Sequence, residues 1–284
     1  MAFTDVEMAI LSCSAYYTLK NTDKATSLYD FINRIKDSLS DYLGKEYEEV
    51  LPLFLEKIKN DGSRVVAQRN DKVGTGFSAY AIADSDNNLT FVVRGTEDIT
   101  WSESCKKDII ADLQLAYRYC TDQQGAMRDF VSFFDKDCYS GYNFVGHSLG
   151  GNLAMFGAIM CVEPQKVLDC VTFNAPGFNK SFCKKYAEKI SAVQRKIRNY
   201  QNECDGLSNA FAPVGELILL ECKGWDGFHK DGLSAHFVNR LLIENGEFVR
   251  NRTGIKDLTM CGAVIDTVTF VTDNTVKPKD ADKV

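Results

Sequence analysis

The segment Gly146-His147-Ser148-Leu149-Gly150 holds the residues best suited to covalent chemistry. A serine set between glycines at a sharp junction can present its hydroxyl as a nucleophile. By composition alone Gly-x-Ser-x-Gly should occur in roughly one chain of this length in ten, so its setting has to carry the reading. Tyr142 to Val145 is a short run of strand formers, and Gly150 to Val162 reads as a helix. Strand, turn and helix in that order are what a nucleophile elbow requires. Gly146 and Gly150 keep the tight turn free of Cβ clashes, and Gly151 lets the helix sit close to the sheet. Ser148 then lies at a helix N-terminus, where the dipole favours developing negative charge. The backbone N–H of Leu149 points to the same place and is the first candidate oxyanion donor.

A serine nucleophile needs a base, and the chain has three histidines, His147, His229 and His236. His147 sits inside the elbow, where neighbouring side chains diverge from the serine, and reads as a packed or orienting residue. His229 lies in the glycine-flanked loop Gly227-Phe228-His229-Lys230-Asp231-Gly232, and His236 lies next to the start of an expected helix. Both follow the serine, in agreement with the order Ser, Asp, His. His236 is the preferred base and His229 the alternative. The orienting acid should follow a strand between serine and histidine. Asp205 does so, beyond the strand-like Ile197 to Gln201 and just before Gly206. The competing role for Asp205 is an Asx turn.

Elements to position these groups can be read on both sides of the motif. Residues 1–60 read as a helical lead-in: Thr4-Asp5-Val6-Glu7 is a capping box, and Phe31, Ile35, Leu39 and Leu43 recur at helical spacing. Val65-Val66-Ala67, Thr75 to Ala83 and Leu89 to Val93 read as strands, joined at Ser85-Asp86-Asn87-Asn88 by a turn. Residues 108–138 suggest two helices broken near Gln123-Gln124-Gly125. Leu168 to Phe173 and Leu217 to Leu220 are further strands. A charged helix is expected near 179–192 and a last one from Leu233, followed by a hairpin turn at Glu244-Asn245-Gly246-Glu247. Alternating strands and helices predict a mainly parallel central sheet with helices on both faces, in one α/β domain over 1–284 with a frayed tail over 273–284.

Composition narrows the partners. A hydrophobic fraction of 45% and a charged fraction of 25% suit a folded domain with a sizeable core. A net charge of −6 argues against nucleic acid. Lys184, Lys185, Lys189, Arg195, Lys196 and Arg198 read first as a solvated helix face, with a patch for anionic lipid as the sharper alternative. No stretch approaches the roughly 20 apolar residues that span a bilayer, which leaves peripheral membrane contact open. The start lacks a signal-peptide pattern. The ten cysteines show no C-x-x-C spacing and read as reduced, mostly buried residues of a cytoplasmic protein.

Four motifs together carry a family resemblance. Phe91-Val92-Val93-Arg94-Gly95-Thr96, then Ile110-Ala111-Asp112-Leu113, then Gly146 to Gly151, then Asn174-Ala175-Pro176-Gly177 resemble the lipase class 3 family of α/β-hydrolases, over roughly residues 75–240 and on the side of its bacterial lipase-like branch. The resemblance implies the α/β-hydrolase fold and places the second oxyanion donor at Thr96. It also matches Asp205 to the acid, His236 to the base, and Arg94 with Asp112 to a structural ion pair. The chain departs from the family after the oxyanion loop, where Trp101 comes early and Ser102-Glu103-Ser104-Cys105 is inserted. Residues 97–107, with Ile99 and Trp101, are the lid candidate.

The expected activity is hydrolysis of carboxylic esters, small or lipidic, through an acyl-enzyme on Ser148, with no metal or organic cofactor. Thioesterase or acyltransferase chemistry on the same site, and a non-catalytic hydrolase-like scaffold, are the alternatives.

Overall fold

Alternate side chains along β4 (Asn88–Val93) enter different layers: Phe91 and Val93 pack in one core cluster and Val92 in the other. The same division separates Phe144 from Val145 on β5 (Gly141–His147) and Cys170 from Val171 on β6 (Val167–Phe173). A strand buried on both faces reads as a continuous apolar run, because each face needs its own layer of helices. The computed structural model describes residues 3–17, 26–71, 74–95, 121–134, 139–222 and 234–252.

Among the described residues, eight strands form one sheet in sequence order. β1 (Thr26–Ser27), β2 (Arg64–Asn70), β3 (Ser78–Ala83) and β4 pair antiparallel. From β4 onward, through β5, β6, β7 (Ile197–Asn202) and β8 (Glu216–Leu220), the pairing is parallel. The parallel strands therefore share one carboxyl edge, and that is the edge where open α/β sheets bind their ligands.

The helical lead-in covers one face. It consists of α1 (Asp5–Ser14), α2 (Leu28–Leu43) and α3 (Val50–Ile58), whose apolar sides join the cluster of Val92, Val145 and Val171. The capping box at Thr4 is present, with Thr4 accepting from the Glu7 N–H and Glu7 accepting from the Thr4 N–H. On the other face lie α4 (Asp122–Ser132), α5 (Leu149–Met160), α6 (Lys180–Lys185) and α7 (Ala187–Val193). Every residue of α5 from Gly150 to Met160 is buried, as expected of a helix that is apolar on all sides.

Local readings differ at three places. Gln123-Gln124-Gly125 lies inside α4 rather than at a break, because Thr121 caps the helix and Gln124 returns the bond to the Thr121 N–H. The charged segment near 179–192 is two short helices, divided at Tyr186, whose φ of −109° leaves the helical region. No α-helix runs through 234–252. Single 3-10 turns at Ser234–His236 and Val238–Arg240 are separated by an extended Phe237, because the His236 carbonyl bonds to side chains instead of continuing a helix. The expected hairpin forms between β9 (Ile243–Glu244) and β10 (Glu247–Phe248), with Asn245 and Gly246 at φ 52° and 78° in the twist such a turn requires.

Arg198 leaves the basic surface group. It pairs with Asp5 at 2.8 Å and Asp169 at 2.6 Å, tying α1 to β6 and β7. Six cysteines, Cys13, Cys161, Cys170, Cys183, Cys204 and Cys222, are free thiols. Cys105, Cys120, Cys138 and Cys261 lie outside the described residues. Among the described residues no helix is long and apolar enough to cross a membrane.

Candidate active site

Ser148 stands between the end of β5 and the start of α5, with φ 58° and ψ −132°. A positive φ costs a residue with a Cβ about 1–2 kcal/mol, so the surroundings must hold it there. The Ser148 N–H donates to Phe173 O on the neighbouring strand at 2.9 Å, and its carbonyl accepts the Gly151 N–H at 2.9 Å. The two glycines of the motif are required by space. A Cβ on Gly146 would lie 2.3 Å from Gly150 O, and one on Gly150 would lie 2.4 Å from Val93 O. Close contact between β4, the turn and α5 thus depends on hydrogen at both positions. Leu149 begins α5, and the first N–H groups of a helix have no acceptor within it.

His236 Nε2 is 2.8 Å from Ser148 Oγ, and His236 Nδ1 is 2.9 Å from Asp205 Oδ2. A carboxylate only accepts, so Nδ1 carries the proton and Nε2 faces the serine as acceptor. All three side chains are buried. Asp205 lies in the turn after β7, where its N–H donates to Asn202 O at 3.0 Å. Its carboxylate also accepts from the Leu207 N–H at 2.9 Å and the Ser208 N–H at 3.3 Å. The two readings of Asp205 are therefore compatible: it caps a turn and faces the histidine.

His147 is buried. Burial, reinforced by the neighbouring His236, pushes its pKa down to about 3, so the ring is neutral near neutral pH. Its Nε2 is 2.7 Å from the His236 carbonyl oxygen, and its Nδ1 is 3.0 Å from the Tyr16 hydroxyl. Asn174 supplies the second hold on the same carbonyl. Its Nδ2 donates to His236 O at 2.8 Å, while its Oδ1 accepts the Asn202 N–H at 2.7 Å. Asn174 also has a positive φ of 49°, a conformation that asparagine tolerates better than most residues.

Sequence reading had Asn174 in a motif but did not connect it to His236, which lies 62 residues further on. Tyr16 carried no signal at all, being 131 residues from His147. Arg94 is buried, and its guanidinium donates to Gly76 O at 3.4 Å. Its expected partner Asp112, the oxyanion candidate Thr96, the lid candidate 97–107 and the alternative base His229 lie outside the described residues. Among the described residues, His, Cys, Asp and Glu side chains form no group that could hold a metal ion.

Residues 8–235 match the model of the Tle-like phospholipase domain, a phospholipase-like family. The chain belongs to that family. The phospholipase-like chain is thereby one of the lipase-type carboxylic ester hydrolases. No curated protein matches it. Among solved structures it is similar to the M37 lipase, with a TM-score of 0.51 at 12% identity over 99% of this chain and 83% of that one. It is also similar to the nonglycosylated LIP2 lipase of Yarrowia lipolytica, with a TM-score of 0.48 at 13% identity over 76% of this chain and 78% of that one. Likeness at such identity speaks to the fold alone, and the eight-stranded, mostly parallel sheet flanked by helices is an α/β-hydrolase fold.

Proposed function

We propose that this protein cleaves the acyl esters of phospholipids, with Ser148 as nucleophile, His236 as base and Asp205 as the group that orients the base. The observation that carries the reading is the continuous hydrogen-bonded line from Ser148 Oγ through His236 to Asp205, at 2.8 and 2.9 Å. The phospholipase-like family supports the substrate class. Ser148 passes its proton to His236 Nε2 as its oxygen attacks the acyl carbonyl. The tetrahedral oxyanion is held by the Leu149 N–H and, on the family resemblance, by Thr96. Collapse expels the alcohol, which takes the proton from the imidazolium and leaves an acyl-serine. Water, deprotonated by His236, then releases the acid. Asp205 keeps Nδ1 protonated throughout and stabilises the imidazolium.

The test is labelling with a fluorophosphonate, mapped by mass spectrometry, beside turnover of a phosphatidylcholine, a triacylglycerol and a short p-nitrophenyl ester. Labelling confined to Ser148 in the parent and lost in Ser148→Ala and His236→Ala is expected, with turnover highest on the phospholipid. A folded parent that neither labels nor turns over any of the three esters overturns the reading. Preference for the triacylglycerol or the short ester would keep the chemistry and overturn the substrate class.

A further inference from the structure

The base has weak backbone support of its own. His236 ends a single 3-10 turn, Ser234–His236, and the next residue, Phe237, is extended with φ −82° and ψ 143°. What holds its backbone is the carbonyl oxygen, which accepts two side-chain donors, His147 Nε2 at 2.7 Å and Asn174 Nδ2 at 2.8 Å. The Asn174 amide is itself fixed by the Asn202 N–H. The His147 donor is different, because a neutral imidazole has one N–H and two places to carry it.

A carbonyl oxygen can only accept, so His147 must carry its proton on Nε2 to bond to it. Nδ1 is then a bare acceptor, and the group opposite it is the Tyr16 hydroxyl at 3.0 Å, which must donate. Gly95 approaches so closely that a Cβ there would lie 2.5 Å from the Tyr16 hydroxyl oxygen. The bonds therefore run in one direction, from Tyr16 O–H to His147 and from His147 N–H to the backbone of His236. Tyr16 lies two residues beyond α1, a helix buried from Val6 to Ser14, and its own N–H donates to Cys13 O at 3.1 Å.

We propose that Tyr16 is a positioning residue that selects the tautomer of His147 and, through it, sets the backbone of His236 against Ser148. Tyr16 does for His147 what Asp205 does for His236: it fixes which nitrogen carries the proton. Without the hydroxyl, the tautomer with Nδ1–H becomes accessible, and its bare Nε2 faces the carbonyl oxygen lone pair to lone pair. The loop carrying the base then moves off that carbonyl, and the 2.8 Å contact to Ser148 lengthens. The inference rests on the proposed roles of Ser148 and His236. It adds that the N-terminal helical segment is part of the machinery rather than only a cover for the sheet.

The experiment compares the parent with Tyr16→Phe, His147→Gln, His147→Leu and the double variant Tyr16→Phe/His147→Leu. The readouts are kcat and KM on p-nitrophenyl butyrate, the rate of fluorophosphonate labelling, and the thermal midpoint. Histidine-selective 15N spectra report the ring tautomer, and with three histidines the signals can be assigned. Tyr16→Phe should lower kcat and the labelling rate by about 10- to 100-fold with KM little changed, the size of effect that a small misplacement of a reacting group produces. Its His147 signal should shift from one tautomer toward a mixture. His147→Gln keeps an N–H for the carbonyl and should stay within about threefold of the parent, while His147→Leu should lose activity as Tyr16→Phe does. Because the two groups act in series, the double variant should be no slower than His147→Leu alone.

Labelling of Tyr16→Phe at the parental rate, or losses that multiply in the double variant, would overturn the relay. If His147→Leu does not fold, the kcat and tautomer results for Tyr16→Phe and His147→Gln decide the matter. A parent that does not label at all removes the serine-hydrolase reading and the relay with it. A parent that labels beside an unaffected Tyr16→Phe removes the relay alone.

Discussion

Acid should destabilise this protein through one particular side chain. His147 is fully buried and neutral, and its pKa falls from 6.5 to about 3 because burial disfavours the imidazolium and the adjacent His236 adds to the penalty. In the unfolded chain the ring returns to its ordinary value. Between about pH 6.5 and pH 3 the unfolded state therefore binds a proton that the folded state refuses, and stability falls as the pH falls. Above that window the contribution is flat. Each pH unit inside the window costs about 1.4 kcal/mol, so acidification from pH 7 to pH 4.5 should cost on the order of 2–3 kcal/mol through His147 alone. That is a large part of the 5–15 kcal/mol of a typical domain. The comparison is urea denaturation of the parent and His147→Gln over this pH range. Every other titratable group is common to both proteins, so the difference between the two curves isolates His147. The parent should lose about 2–3 kcal/mol more than the variant on reaching pH 4.5. Parallel loss in the two proteins would show that His147 is not held neutral by burial.

Asp205→Asn keeps the size of the side chain but permits the wrong tautomer of His236, and should lower kcat by about 10³–10⁴ with little change in KM; a loss under tenfold would refute the role assigned to Asp205. Gly150→Ala places a Cβ 2.4 Å from Val93 O and 2.6 Å from Arg94 C, so it should destabilise by about 1–3 kcal/mol or more, seen as a lower thermal midpoint. A parental midpoint would mean that β4 and α5 do not approach as closely as described. Asn174→Ala strands the buried Asn202 N–H and puts alanine at positive φ, and should cost about 2–5 kcal/mol in urea denaturation. Asn174→Gly should recover only the backbone share, so equal losses in the two variants would assign the whole cost to the amide.

Much of the frame was readable along the chain because its signals are local. The capping box at Thr4, the antiparallel strands from Arg64 to Val93, and the strand–turn–helix around Ser148 each depend on neighbours within a few residues. The reading failed where distant groups override local preference. The segment after Leu233 has helix-compatible residues, but the His236 carbonyl is taken by His147 and Asn174, so the chain makes single turns instead. Arg198 looked like part of a basic face because charge alone cannot show that Asp5 comes beside it from 193 residues away.

Residue order was enough to name Ser148 with its glycines, to require a later histidine and an acid between the two, and to choose the α/β class, because backbone geometry at a tight turn and strand-helix periodicity are written in adjacent residues. Folding decided which histidine meets the serine: His236 comes within 2.8 Å of Ser148 because parallel strands bring their carboxyl ends to one edge. It also brought Tyr16 to His147 and Asn174 to the His236 carbonyl. Their contacts span 131 and 62 residues, and a hydrogen bond across such a separation is specified by packing, which no local pattern encodes.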